Sequence, residues 1–540
     1  MFSKALITAS LIAGFTAGSG MFSSAAAQIE SDSMGDLSAW GQRYLSSEEQ
    51  EFPISLWRNS NDDVLLSLLQ SIRTSELGPA ERRLLRRIIL SPATRPRGEL
   101  AEDLLAERAR LMLELGEARA AAALVPQLKQ ETRGMDAETL AIDLDMASGQ
   151  EASACAQLRG PVKEGHYWLK LRAVCAVLQD NFSGAQLAIE VAEAQGVNDP
   201  WMIEAIFAAA GDTPNPPGAR FDNGLNIALS SKAALDTNKV TMASDRPDLA
   251  AAAAQRPGVS SELRVRFAEI ASDYDLISSE DRRKILLDRM QEEDYAVSSQ
   301  LEQALKDLTD PLVGDLQRAE RLSGVLRAAA RSNLTRYRNT SRLFLPDIKR
   351  LAQNPTTAAF ALDYAKAAMI AGDRETGLSW LSTFNFEGVE APDPFEIALL
   401  EAADVLLGGD ASPASLEAIQ ERLVEAVDSS TREDQVALVF SAWTGLGLAL
   451  SPTGRDFIVQ VSDRGDRIAQ GQVIGMKAAI LGDAIAETGL MVLATTNGEV
   501  DRLAGSDYAA LIETLIALDA EDVARELAIE ASGFWKGQSK

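Results

Sequence analysis

The chain has 540 residues, of which 46% are hydrophobic and 24% are charged, and its formal net charge is −27. This composition can bury a core, which excludes a disordered acidic tail, and the negative charge argues against general binding to nucleic acid or anionic membranes because their phosphates would be repelled. Ala, Leu, Glu, Arg and Gln dominate, and no sustained alternation with a period of two residues is present. The sequence therefore predicts an all-α protein.

Residues 1–27 have the anatomy of a cleaved secretory signal peptide. Lys4 gives a short positive region, Ala5 to Ala17 is apolar, and Ala25-Ala26-Ala27 places small residues at positions −3 and −1 of a cleavage site before Gln28. The apolar run is shorter than the about 20 residues that a membrane-spanning helix needs. Cleavage leaves an acidic chain with a net charge of −28. The alanine-rich cleavage region and the acidic body favour the periplasm of a Gram-negative bacterium.

After an N-terminal segment (residues 28–55), residues 56–211 contain an internal repeat. Four turn residues each close an apolar helix, at intervals of 33, 31 and 31 residues: Gly116, Gly149, Asp180 and Gly211. A further copy of the same local sequence pattern begins at Gly372. Five positions after the turn residue lies a small residue: Ala121, Ala154, Ala185 or Gly377. Seven positions before it lies Ala109, Ala173 or Ala365, with Ile142 as the exception. Small residues at these two places allow two antiparallel helices to approach closely, so the pattern predicts helix hairpins.

This spacing resembles that of the tetratricopeptide repeat family, whose period is about 34 residues. The resemblance covers Leu104 to Gly211 and Thr357 to Phe384, and the aromatic residue of the family's first helix is matched only loosely, by Trp168 or Tyr364. The resemblance implies an elongated α-solenoid, a helical-hairpin repeat array that presents a concave surface for protein binding. The alternative is an irregular globule of many helices.

Cys155 and Cys175 form an even pair, and an oxidising compartment favours a disulfide bond between them. If one helix ends near Arg159 and the next begins near Gly165, the two cysteines differ in height by about six residues, or roughly 9 Å. A disulfide requires Cα atoms within about 7 Å. Both the bonded and the unbonded pair remain open, and either has a structural role.

The chemistry-bearing residues are sparse. His166 is the only histidine, which excludes a zinc site with several histidines and a metalloprotease HExxH motif. No Gly-x-Ser-x-Gly phrase and no glycine-rich phosphate loop is present. We therefore interpret His166, which follows Gly165, as a partly exposed residue at a helix start. We predict no catalytic residue, no metal and no cofactor, with an unrecognised envelope enzyme as an alternative.

Two further regions complete the predicted organisation. Residues 212–310 are predicted as a helical middle region that follows a proline-rich loop, and residues 311–535 as a C-terminal helical repeat region. The most apolar later stretch, Gln472 to Thr496, contains three charged residues. It is predicted to form a buried helix pair, so no transmembrane segment is expected after signal cleavage.

The segment from Arg318 to Arg350 is basic in an acidic chain, with eight Arg and one Lys against two acids. On one continuous helix, four of these side chains fall within about 60° of each other: Arg327, Arg331, Arg338 and Arg342. Because arginine grips carboxylates with a planar fork, this stripe is the predicted partner-binding site. Two alternatives are pairing with acidic neighbours inside the protein and a helix break at Ser332-Asn333 or Asn339-Thr340-Ser341 that would scatter the stripe. A second, less distinctive cluster comprises Arg82, Arg83, Arg86 and Arg87.

These features predict a periplasmic, non-enzymatic scaffold or adaptor that binds a cell-envelope protein or peptide. The alternative is a binding module for anionic glycan or peptidoglycan fragments, which also present carboxylates. No nucleic-acid partner is expected.

Overall fold

Helices account for most of the protein in the computed structural model, which describes residues 39–47, 49–125, 128, 137–160, 163–242, 246–293, 295–461 and 465–536. The predicted signal peptide, residues 1–27, lies outside the described residues. The described residues belong to a single compact unit.

The elements follow one another with short connections. The first nine helices are α1 (Asp62–Ser71), α2 (Pro79–Leu90), α3 (Ala101–Glu114), α4 (Ala118–Leu124), α5 (Ala137–Ala147), α6 (Glu151–Ala156), α7 (His166–Leu178), α8 (Phe182–Ala194) and α9 (Pro200–Ala210). The middle elements are β1 (Gly218–Phe221), α10 (Gly224–Lys232), β2 (Asp236–Met242), α11 (Pro247–Gln255), α12 (Ser261–Asp273), α13 (Ser279–Met290) and α14 (Gln300–Thr309).

The remaining helices are α15 (Asp315–Ser332), α16 (Leu334–Arg350), α17 (Pro355–Ala358), α18 (Ala361–Ile370), α19 (Arg374–Ser382), α20 (Pro394–Leu406), α21 (Pro413–Glu425), α22 (Ser430–Gly445), α23 (Pro452–Gln460), α24 (Gln470–Leu481), α25 (Ile485–Thr496), α26 (Gly505–Ala517) and α27 (Glu521–Ser532). The predicted all-α class is confirmed, and Gln472 to Thr496 forms the helix pair α24 and α25. Among the described residues, none of the helices has the combined length and apolar character that a membrane crossing requires.

The predicted turn residues separate paired helices. Gly116, Gly149, Asp180 and Gly372 all have positive φ angles, between 58° and 88°, and they lie between α3 and α4, α5 and α6, α7 and α8, and α18 and α19. A left-handed residue at this place ends a helix and lets the chain reverse. The small residues of the repeat are fully buried where the helices cross: Ala109, Ala121, Ala154, Ala173, Ala185 and Ala365. These observations confirm an array of helix hairpins.

The region after α9 contains a short parallel sheet that the sequence did not predict. Gly211 ends α9 in the left-handed conformation, and β1 then pairs with β2 through a crossover that contains α10. The two strands have four and seven residues. β2 begins with four polar residues in succession and β1 has only four residues, so no sustained alternation marks a strand and only helices were predicted for this region.

Two large hydrophobic cores divide the buried side chains. Residues between 142 and 285 form one core, whereas residues 39–140 and 286–535 together form the other. The first helices therefore pack against the last ones: α1 lies against α25, and α2 lies against α25 and α27. We call the contact between α2 and α27 the joint. In an open solenoid each repeat contacts only its neighbours, so this contact between the two ends is a feature that the repeat spacing did not predict.

A buried arginine fixes the first described residues to α2 and α3. Arg108 on α3 is 0% exposed, and its guanidinium donates hydrogen bonds to the carbonyl oxygens of Ile89 (2.5 Å), Ser91 (2.9 Å) and Ala39 (3.5 Å). The guanidinium also lies over the ring of Trp40, 5.5 Å from its centroid. Burial lowers the pKa of Arg108 to about 10. The residue thus satisfies the C-terminal carbonyls of α2 and holds the segment that precedes α1.

Cys155 and Cys175 form a disulfide bond, with their Cα atoms 5.8 Å apart. The height difference of roughly 9 Å, expected from a helix that ends near Arg159, does not occur. The α-helix ends at Ala156, and a 3-10 turn over Gln157–Arg159 follows it. Cys155 therefore lies beside the third turn of α7. The bond joins α6, one of the shortest helices described, to the helix that begins the next hairpin.

Candidate functional site

The arginine-rich segment lies on two helices. Asn333 is in the extended conformation between α15 and α16, and its side chain caps α16 by accepting a hydrogen bond from the backbone N–H of Arg336 (2.8 Å). Of the two possibilities that the sequence left open, the helix break at Ser332-Asn333 is the one observed, and the stripe does not lie on one continuous helix. Arg327 and Arg331 lie on α15, whereas Arg338 and Arg342 lie on α16.

The two arginines of α15 have different surroundings. Arg327 donates a hydrogen bond to Asp363 over 2.9 Å and forms an ion pair with it. Arg331 is exposed, and no ion pair or hydrogen bond of its side chain occurs within the described part of the chain. On this helix, the basic stripe is therefore partly paired and partly open to solvent.

The two arginines of α16 share one acidic residue. Arg338 donates to Asp275 (2.8 Å) and to Glu526 of α27 (2.9 Å), and Arg342 donates to Asp275 (2.7 Å). Internal pairing, the alternative interpretation of the stripe, thus describes three of the four residues. The two α16 arginines nevertheless differ from Arg327, because both of them line a cavity.

This cavity has a volume of about 320 Å³ and lies at the joint, between α2, α16, α27 and the C-terminal ends of α18 and α20. Its cationic residues are Arg83, Arg338, Arg342 and Arg525, and its acidic residues are Asp522, Glu526 and Glu530. Its aliphatic wall consists of Leu334, Met369, Ile370, Leu406, Leu407 and Ile529. We call it the joint cavity. It combines forked hydrogen-bond donors with an apolar surface, which is the composition of a ligand pocket.

The charges of the joint cavity are unevenly balanced. Glu530 is buried and accepts a hydrogen bond from the backbone N–H of Ala80 at the start of α2 (2.8 Å). Burial raises the pKa of Glu530 well above its usual range, and the nearby carboxylates of Glu526 and Glu81 raise it further. Burial also lowers the pKa of Arg342, as does the neighbouring Arg338. Burial therefore favours the protonated form of Glu530, and the positive charges of Arg338 and Arg342 repel each other.

Sequence reasoning missed half of the cationic wall. Arg83 belongs to the cluster on α2 that was considered less distinctive, and it reaches Glu526 over 3.0 Å. Arg525 lies on α27 and was not singled out. No local signal assigns either residue to the cavity, because the cavity exists only where helices from distant parts of the chain meet.

A second cavity, of about 370 Å³, lies beside His166. His166 is exposed at the start of α7, and the cations that line the cavity are paired with carboxylates: Lys170 with Asp199 (2.6 Å) and Arg246 with Asp248 (2.7 Å). Within the described residues, the side chain of His166 forms no hydrogen bond or ion pair.

Asp143 is the buried carboxyl group of this second cavity. It accepts a hydrogen bond from the backbone N–H of Leu225 at the start of α10 (3.4 Å). Burial raises the pKa of Asp143 to about 6, although hydrogen bonds from the start of α10 and the charge of Arg246 act in the opposite direction. The negative form of this carboxyl group is therefore costly to bury.

Replacing Asp143 with asparagine tests this cost. The folded pKa exceeds the unfolded one, so the stability that the protonated carboxyl provides is present below about pH 4 and is lost as the pH rises through about 6. As the pH rises from 4 to 7, we expect the wild type to lose on the order of 2–3 kcal/mol of unfolding free energy relative to Asp143→Asn. Urea denaturation at several pH values measures the difference. Asp212→Asn, at an exposed carboxyl, is the control, and a difference that does not change with pH would contradict the assignment.

No protein-family model, characterised protein or solved structure matches this chain. Membership of the tetratricopeptide repeat family therefore stays a prediction. Among the described residues, no cluster of three or more His, Cys, Asp or Glu side chains is arranged to hold a metal ion. The candidate site is thus defined by its geometry, and the joint cavity is the place where predicted site residues and a concave surface coincide.

Proposed function

We propose that this protein is a non-enzymatic scaffold or adaptor of the periplasm that binds a segment of a cell-envelope protein or peptide in the joint cavity. The observation that carries the proposal is the position of Arg338 and Arg342 beside an aliphatic wall. A peptide supplies both kinds of group that such a cavity recognises, since it offers carboxylates for guanidinium forks and apolar side chains for the wall.

The size of the cavity favours a short segment. A volume of about 320 Å³ lies at the lower end of the range for ligand pockets. It is suited to one or two residues of a partner, so the remaining contacts would involve the surface around the cavity. A carboxylated glycan fits less well, because the described wall is aliphatic and lacks the aromatic faces on which sugar rings stack.

The compartment is supported by two features that are independent of each other. Residues 1–27 have the charge and side-chain pattern of an exported leader. The bond between Cys155 and Cys175 is of a kind that persists in oxidising compartments such as the periplasm.

Charge reversal at Arg342 tests the function. We expect Arg342→Glu to reduce crosslinking of the exported protein to its envelope partner in intact cells by about tenfold or more, because removal of a charge-assisted hydrogen bond costs about 1.5–3 kcal/mol. Mass spectrometry of the crosslinked products measures the loss. Arg331→Glu is the matched control, since its side chain is exposed on the neighbouring helix, and it should retain capture.

Circular dichroism and the unfolding temperature must show that both variants are folded. If Arg342→Glu is destabilised, Arg342→Gln replaces it, because glutamine introduces no negative charge beside Asp275. Equal capture by folded Arg342 and Arg331 variants would refute the joint cavity as the binding site.

A further inference from the structure

We propose that the joint cavity binds the C-terminal end of a polypeptide, with the terminal carboxylate on Arg342 and the last side chain, an apolar one, against the aliphatic wall. This inference rests on the proposed function and narrows it from a peptide segment to a chain end. It follows from the unused donors of Arg342, the charge of the cavity and its shape.

Arg342 offers two hydrogen-bond donors to a ligand. Only its Nη1 is engaged within the described part of the chain, by Asp275, and the side chain is 36% exposed. Its Nε and Nη2 lie on one edge of the guanidinium plane, which is the edge that binds a carboxylate through two parallel hydrogen bonds. Arg338, by contrast, already uses both of its Nη atoms for Glu526 and Asp275. The carboxylate position is therefore at Arg342, and Arg338 contributes charge.

The charge of the cavity favours an anion. Four arginines and three acidic residues line the cavity, and burial raises the pKa of one of these acids, Glu530, well above its usual range. Asp275 and Glu521, which pair with three of the arginines, lie outside the lining. The buried Nε of Arg338 has no hydrogen-bond partner among the described residues. Arg338 and Arg342 share the single carboxylate of Asp275. A ligand carboxylate would be a second anionic partner for Arg342, whereas an amino group would be repelled by both arginines.

The shape of the cavity favours a chain end over an internal acidic residue. At the C-terminus, the carboxylate and the last side chain are attached to the same carbon atom, so both enter a small cavity together. An internal Asp or Glu brings its carboxylate on a polar side chain, and its backbone has to leave the cavity in two directions. A chain end therefore brings an apolar side chain to the accessible wall residues, Leu334 and Leu407, with the same residue whose carboxylate contacts Arg342.

Two synthetic libraries of random heptapeptides, identical except that one ends in a free carboxylate and the other in an amide, test the inference with the full mature protein. We expect selection to enrich free-acid peptides whose last residue is Leu, Ile, Val, Met or Phe, and no such enrichment among the amides. For a selected peptide, calorimetric titration should show that amidation weakens binding by about tenfold or more.

Variants locate the effect within the cavity. Arg342→Gln should remove most of the difference in affinity between acid and amide, whereas Arg331→Gln should preserve it. Leu407→Ser, at the partly buried edge of the aliphatic wall, should weaken the preference for an apolar last residue and leave the preference for the free acid. Unchanged circular dichroism spectra and unfolding temperatures exclude misfolding as the cause.

The remaining outcomes overturn the inference in distinguishable ways. If amides bind as well as acids, or if neither library yields a binder, the C-terminal assignment fails, and the proposed function stands provided that capture in cells still depends on Arg342. If laurate binds more tightly than any peptide and does so through Arg342, the ligand is a fatty acid and the peptide assignment fails. If capture in cells is also independent of Arg342, the proposed function fails as well.

Discussion

Replacing Arg108 with alanine is expected to lower the free energy of unfolding by about 4 kcal/mol. The substitution leaves the carbonyl oxygens of Ile89 and Ser91 buried without their donor, and each such group costs about 1–3 kcal/mol. It also removes a fully buried side chain that packs on Trp40 and Tyr44, which adds the cost of a cavity. Urea denaturation followed by circular dichroism and tryptophan fluorescence measures the change.

Two variants separate the possible causes of that loss. Arg108→Lys should recover part of the stability, because lysine keeps a charged donor but lacks the fork that reaches several carbonyls at once. Arg119→Ala, at an exposed arginine on the next helix, should change the free energy of unfolding by less than about 0.5 kcal/mol. Hydrogen exchange in Arg108→Ala should rise first in residues 39–45. A loss of stability below about 1 kcal/mol would show that Arg108 does not hold this segment.

Removal of the disulfide is expected to cost about 3 kcal/mol. The bond joins residues separated by 20 positions, and closing a loop of this size in the unfolded chain restricts its entropy by about that amount. The loss should fall mainly on α6, which has six residues and is too short to be stable alone. Thermal unfolding of the wild type with and without reductant measures the effect.

The variant with both Cys155→Ala and Cys175→Ala is the control for the reductant. It should unfold at the temperature of the reduced wild type and should not respond to reductant. If thiol titration shows that the bond of the wild type has been reduced and the unfolding temperature has not moved, the bond does not stabilise the fold.

The hairpins were predictable from the sequence because their determinants are local. A turn residue at Gly116 or Gly372 ends one helix and starts the next, and small residues such as Ala109 and Ala121 lie at fixed distances from it. Each of these signals involves residues within about one repeat of each other. A periodic pattern therefore predicts which helices form pairs, although it contains nothing about which pairs meet later in the chain.

The joint and its cavity depend on contacts between residues that are far apart in sequence. Ala80 and Glu530 are separated by 450 positions, and Arg338 and Glu526 by 188. Acidic residues are abundant in this chain, so nothing in the sequence marks Glu526 or Glu530 as the partners. Arg338 and Arg342 of the joint cavity were predicted as site residues from the sequence. Its aliphatic wall and its acidic residues could be identified only from the tertiary structure.

The helix break within the arginine stripe shows how far propensity alone can be used. Both Asn333 and Asn339 favour helix ends, yet only Asn333 interrupts the helix. Asn339 lies within α16, where its side chain donates a hydrogen bond to Asp273 over 2.9 Å. Tertiary contacts of this kind override a local preference, and no sequence pattern distinguishes the two positions.

The core shared by the two ends has a consequence for how the chain acquires its structure. A polypeptide is synthesised from its N-terminus, and domains generally fold as units once their residues are available. The helices between residues 142 and 285 have a core of their own, whereas α1 and α2 find their partners α25 and α27 only at the other end of the chain. Until α25 and α27 are in place, the apolar faces of α1 and α2 that pack on them stay exposed. A chain that lacks its last helices therefore leaves apolar faces of its first helices uncovered.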